Sequence, residues 1–179
     1  WLPGEGEMVK RGMTALRVPL PDLEPYFHRF PWSQLLGGKT VLVVHPLAEL
    51  IARQYARRSL LFTDPDVLPE FQLRTLAAVV SNAGVRPEFP DWFAALEFMI
   101  DRIHAIEFDV AIIGAGSYGL PLAAAVKRMG RQSGHIGGAT QLLFGIRGRR
   151  WDDLPAFRQL FTDAWTHPDV SSRPPRWRE

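Results

Sequence analysis

The sequence predicts an α/β fold, a mostly parallel sheet covered on both faces by helices. Two short apolar runs carry this expectation, "KTVLVVH" at 39–45 and "FDVAIIG" at 108–114. The first, a β-branched run, reads as a strand buried on two faces, and the second as a further strand. Each is followed by a segment with helical spacing, and strands alternating with helices at this interval build parallel sheets. A chain of 179 residues with 46% hydrophobic and 22% charged residues matches one ordinary globular domain, neither disordered nor a coiled coil.

Residues 1–38 are rich in proline and glycine, and Pro19, Pro21, Pro25 and Pro31 stand too close together for a long helix. They read as an arm wrapping an α/β domain over 39–165. In "PLAELIARQYARR" (46–58), Leu47, Leu50, Ile51 and Tyr55 fall at helical spacing, and Pro46 suits a first helical turn. A second strand is expected over "LRTLAAVVS" (73–81), ended by Asn82 and Gly84. "DWFAALEFMIDRIHAI" (91–106) reads as a helix with Asp91 as its N-cap and an apolar stripe of Trp92, Leu96, Met99 and Ile103. A further helix covers "LPLAAAVKRMG" (120–130), with Pro121 early and Gly130 as its stop. "QSGHIG" (132–137) is a weak fourth strand, and "ATQLLFG" continues as a helix after Gly138. The remainder holds one short helix, then a polar surface tail over 166–179.

There is no cysteine, which removes disulfides, thiolate metal sites and a thiol nucleophile. No apolar run approaches the roughly 20 residues of a membrane span, and the N-terminus lacks a basic-then-apolar leader pattern. The expected setting is cytoplasmic. The sequence opens on Trp1 rather than a methionine, so it is expected to begin inside a longer product. Net charge is only +2, yet no acidic residue lies between Asp109 and Asp152, where Lys127, Arg128, Arg131, Arg147, Arg149 and Arg150 all fall. Such a field favours an anionic ligand; a solvated face balanced by acids elsewhere is the other reading. The basic residues are not interleaved with aromatics and no nucleic-acid motif occurs, so nucleic acid is not an expected partner.

Parallel sheets take ligands at the carboxyl ends of their strands. Here those ends fall near His45, Ser81 to Asn82, Gly114 to Gly119 and Gly137 to Thr140. Gly114, Gly116 and Gly119, with Ser117 and Tyr118 between, spell G-x-G-x-x-G after a strand and before a helix. Glycines let backbone N–H groups approach an anion, and the following helix presents its positive end. A dinucleotide site would also need an acid at the end of the next strand, but that strand ends His135, Ile136, Gly137, Gly138. The motif therefore points to a phosphate or sugar hydroxyl, or to a tight structural turn. Gly137 and Gly138 form a second glycine turn, with Thr140 and Gln141 as neutral donors and Arg147 and Arg150 shortly after. A diphosphate bridging both turns is the sharp hypothesis; close packing of helix on strand is the bland one. His45 with Glu49 admits an acid/base pair, two metal ligands or a hydrogen-bonded cap, and His135 sits between the glycine turns.

Four blocks, "PWSQLLGGKTVLVVHPLAELIARQY", "VLPEFQLRTLAAV", "DWFAALEFMIDRI" and "FDVAIIGAGSYGLPLAAAVKRMGRQSGHIGGATQLLFGIRGRRWD", resemble in order the C-terminal part of a bacterial family related to GT-D type glycosyltransferases, often found with surface polysaccharide genes. The resemblance covers most of 31–152. It implies a Rossmann-like sheet, a nucleotide-sugar donor and a divalent metal, Mn or Mg, held through an acidic motif. In that wider fold the motif reads R-x-G-x-x-E near the N-terminus, whereas "GEGEMVKRG" offers Glu5 and Glu7 in another context.

The expected function is thus a glycosyltransferase-like domain holding a nucleotide-sugar diphosphate between the two glycine turns. Arg147 or Arg150 would offset phosphate charge, and Tyr118 and Gln141 would contact base or sugar. The alternatives are a non-catalytic glycan-binding or scaffold module of a polysaccharide assembly protein, which predicts an exposed apolar patch, and a dinucleotide-dependent enzyme. A further N-terminal domain or a second copy of the chain is an expected partner.

Overall fold

The computed structural model of the chain describes residues 18–80 and 88–169, with Glu7 and Lys10 as isolated positions. The expected strand end at Ser81, Asn82 and Gly84, Glu5, and most of the tail lie outside the described residues. Four parallel strands form one sheet: β1 (Thr40–His45), β2 (Gln72–Ala77), β3 (Val110–Ile113) and β4 (Gln132–His135), in the order β2-β1-β3-β4. The helices are α1 (Ala48–Tyr55), α2 (Trp92–His104), α3 (Gly119–Arg128), α4 (Ala139–Leu143), α5 (Arg149–Asp152) and α6 (Pro155–Arg158). This is the Rossmann-like α/β arrangement that the alternation of strand and helix predicts.

The apolar runs become the two central strands because only there are both faces covered. Leu42 is in register with Ala111 and Val44 with Ile113, and this face packs against Ala95, Met99 and Ile103 of α2 and Leu122 and Val126 of α3. Val41, Val43 and Ile112 point the other way, into Leu50 and Ile51 of α1, Leu142 and Leu143 of α4, and Trp151 and Trp165. The more polar runs take the edges. Gln72 and Ala77 of β2 are exposed, and β2 ends four residues short of the expected Ser81. The ladder stops at Ala77 because β1 itself ends at His45, its register partner, and Ala78 N–H closes onto the His45 carbonyl at 3.2 Å.

Helix ends follow the local signals with small shifts. Asp91 caps α2, its carboxylate accepting the Ala94 N–H at 2.8 Å. Gly130 adopts φ +78° just past α3, the left-handed conformation that ends a helix cheaply in glycine. α1 starts at Ala48 rather than at Pro46, because Leu47 takes the N-cap position. Two short helices, α5 and α6, stand where one was expected, the second opened by Pro155. Part of the arm is built into the domain: Leu36 is buried and the Ser33 hydroxyl donates to the Val67 carbonyl at 2.7 Å. Downstream, Thr166 stays tied to the body through Thr166 N–H to Gly145 O at 3.0 Å and Arg147 N–H to Thr166 O at 2.8 Å. Among the described residues no helix is long and apolar enough to cross a membrane.

Candidate functional site

The strand order reverses between β1 and β3, and open parallel sheets leave a crevice outside the carboxyl ends of their strands at such a reversal. A cavity of about 410 Å³ lies there. Every strand end contributes to it: His45 ends β1 and Pro46 follows it, Val79 and Val80 follow β2, and Gly114 to Tyr118 follow β3. Gly137 and Gly138 follow β4, and Gly148 to Trp151 close the far wall together with Arg147 and Pro168. The volume falls within the ~300–1,000 Å³ common for small-molecule sites. Among the described residues no Asp or Glu lines it.

The cavity wall is rich in backbone donors. Gly114 N–H is used up by the Val44 carbonyl at 2.9 Å, and Tyr118 N–H by Ala115 O at 3.1 Å. Among the described residues, the N–H groups of Ala115, Gly116, Ser117, Gly137 and Gly138 meet no acceptor. Ala115 is buried, Gly137 and Gly138 are half-buried, and Gly116 and Ser117 are exposed, so the five unpaired donors face solvent or a ligand. Gly116 and Gly137 take φ +55° and +56°, which turns the chain sharply at both places and which other L-residues adopt only under strain.

His45 forms the floor. Its ring is 3% exposed, and Nδ1 accepts the Leu47 N–H at 3.0 Å. An accepting Nδ1 leaves the proton of a neutral imidazole on Nε2. Burial pushes the pKa down to about 3, so the ring stays neutral across the ordinary pH range. His45 is therefore a fixed neutral donor at the cavity. Glu49 is exposed and does not line the cavity, so the expected His45–Glu49 pair is not brought together there.

Of the two expected cations, the structure separates the roles. Arg147 Nε donates to Asp152 Oδ1 at 3.0 Å, with the guanidinium 4.4 Å from the Phe161 ring centroid, while Asp152 Oδ2 also meets His167 Nε2 at 3.3 Å. Its charge is matched on the spot. Arg150 lies over Gly138, where a side chain would collide with the guanidinium, and stacks 3.8 Å from the Trp151 ring centroid. It has no acidic partner among the described residues, and partial burial draws its pKa below the ordinary value without discharging it. Arg150 lines the cavity beside the Gly138 turn, and Arg149 lines it as well.

Several expected site residues serve the fold instead. The Thr140 hydroxyl is fully buried, has no hydrogen-bond partner among the described residues, and does not line the cavity. Gln141 lines it, but its amide donates to the carbonyls of Ile146 at 3.3 Å and Arg147 at 3.1 Å, bracing the wall. Tyr118 is 2% exposed and stacked on Trp92 at 5.1 Å between centroids, leaving no open ring face for a base. His135 lies outside the cavity: its Nδ1 donates to the Ile113 carbonyl at 3.0 Å and its ring fills the space that a side chain at Gly119 would need. Ser117 is exposed at the rim, and its hydroxyl accepts from Trp92 Nε1 at 3.2 Å. Val79, Val80, Gly148, Arg149 and Trp151 belong to the cavity and carry no local motif. Only the long-range pairing of β2 with β1 and the fold-back of α5 bring them in.

Comparison of the chain with protein-family models, curated proteins and solved structures gives no match. Its chemistry is therefore argued from the cavity. The divalent metal that the resemblance implies needs oxygen or nitrogen ligands. Among the described residues no group of three or more His, Asp or Glu could hold a metal ion, and the cavity wall has no carboxylate, so these residues do not fit one.

Proposed function

We propose that this domain binds the diphosphate of a nucleotide-sugar and serves a glycosyltransferase-type reaction on the donor side. The observation that carries this reading is the set of five unpaired N–H donors on two glycine turns around a cavity that Arg150 lines and, among the described residues, no carboxylate does. Backbone donors of this kind suit phosphate oxygens, and a guanidinium adds charge-assisted hydrogen bonds. The two turns stand at the ends of adjacent strands β3 and β4, and a diphosphate bridging both is the ligand that this reading assigns.

In glycosyl transfer the bond from the anomeric carbon to the diphosphate oxygen breaks and negative charge grows on the leaving diphosphate. Donors fixed in place before the reaction stabilise that charge more than that of the ground state. The N–H groups of Gly116, Ser117, Gly137 and Gly138, with Arg150, are placed for this work, and His45 Nε2–H adds a donor that acidification to moderate pH leaves in place. The same inventory favours a second reading. His45 Nε2 is already protonated and, among the described residues, no carboxylate lines the cavity, so none of these wall residues is set to take a proton from an acceptor hydroxyl. A module that binds the sugar nucleotide or an anionic glycan without transfer needs nothing more than these donors.

Isothermal titration with UDP-glucose, UDP and NAD, paired with assay of UDP release from UDP-glucose, tests the reading. UDP and UDP-glucose are expected to bind with matched affinity and NAD weakly or not at all, with UDP release if the domain is catalytic. Binding of neither UDP ligand would remove the nucleotide-sugar assignment.

A further inference from the structure

We propose, building on the nucleotide-sugar reading above, that the anion in this cavity is held without a divalent metal, by His45 Nε2–H, the glycine-turn N–H groups and Arg150. The resemblance implies a divalent metal held through an acidic motif, which requires carboxylates at the site. Two carboxylates adjoin the far wall in sequence, Asp152 after Trp151 and Asp169 after Pro168; Asp152 is engaged by Arg147 and His167, and neither lines the cavity. Residues 81–87, which follow the wall residue Val80, carry Arg86 and no acid in sequence. What stands in the place of metal ligands is a set of donors.

The His45 ring is buried to 3% exposure, its Nδ1 is satisfied by Leu47, and among the described residues Nε2 has no partner. The ring lines the cavity, so a donor there without a protein acceptor is open to a ligand oxygen or water. Arg150 is held in place by Trp151 on one side and Gly138 on the other. A cation kept close to neutral amides, with no acid beside it, attracts a diphosphate directly. A metal bound here would add charge beside Arg150 and find no carboxylate.

Titration of the full chain with UDP-glucose and with inorganic pyrophosphate, each in EDTA and in Mn, tests this. Both ligands are expected to bind in EDTA with affinities within about twofold of those in Mn. His45→Asn keeps an oxygen that can accept the Leu47 N–H but removes the Nε2 donor, and is expected to weaken both ligands about tenfold in EDTA. Arg150→Gln, an exposed position that leaves the core intact, is expected to do the same and serves if His45→Asn does not fold. UDP-glucose binding that appears only with Mn, or is tenfold or more tighter with it, would overturn the metal-free assignment and leave the nucleotide-sugar reading standing. Pyrophosphate binding in EDTA without UDP-glucose binding would uphold the metal-free anion site and overturn that reading. Binding of neither ligand in either condition overturns both.

Discussion

His45 is held in one protonation state by burial and by the hydrogen bond that Leu47 donates to Nδ1. Its folded pKa, about 3, lies below the ordinary value of 6.5. Between those values the unfolded chain binds the proton and the folded chain does not. Acidification therefore favours unfolding: the stability contributed by the neutral ring is complete above pH 6.5 and is lost as pH falls toward 3. The slope is about 1.4 kcal/mol per pH unit well inside that window. Denaturant unfolding followed from pH 7 to 4 should show this loss, and His45→Asn, which does not titrate, should show a shallower one. Equal slopes would mean that the imidazole is not the group responsible. In sequence this histidine is legible as a strand-end residue beside a cavity, but its tautomer is not. That depends on the Leu47 N–H, whose direction is set when α1 starts at Ala48.

Elements explain why some glycines matter for the fold and others for the ligand. A side-chain carbon on Gly114 would lie 2.6 Å from His45 Cδ2, 2.6 Å from Thr140 Oγ1 and 2.7 Å from the Gly137 carbonyl oxygen. All three belong to residues packed between strand ends, so none swings away freely. Gly114→Ala is expected to cost about 1–3 kcal/mol through overpacking, read as a lower denaturation midpoint with an unchanged m-value. Gly138→Ala displaces the far end of the exposed Arg150 side chain from its place over the turn, and should leave that midpoint nearly unchanged while weakening ligand binding. The strand-helix order, the N-cap at Asp91 and the stop at Gly130 were legible because their signals are local: apolar runs, a capping carboxylate, a glycine at a helix end. The rotation of α4 was not. Five residues are too few for an apolar period to reveal that Thr140 turns into the core while Gln141 turns to the cavity wall. His135 was misleading for a related reason, since only the tertiary contact with Gly119 shows that its ring fills a gap.

For the whole molecule, the order β2-β1-β3-β4 decides where chemistry can occur, by placing both glycine turns and the His45 strand end around one crevice. The basic segment between Asp109 and Asp152 brings two exposed cations to that crevice, Arg149 and Arg150, while Arg147 and Arg131 are paired with Asp152 and Glu107. Apolar side chains also remain on the surface: Phe93 and Leu120, at the starts of α2 and α3, are 67% and 68% exposed, and Phe30 is 75% exposed in the arm. The scaffold reading predicts exposed apolar surface, and these residues supply its location without naming what covers it. The most direct test of the central claim is amide chemical-shift mapping by NMR during titration with UDP-glucose. The account predicts that the N–H resonances of Ala115, Gly116, Ser117, Gly137 and Gly138 move together and saturate with one affinity. Saturable shifts confined to amides elsewhere, or none at all at millimolar ligand, would contradict it.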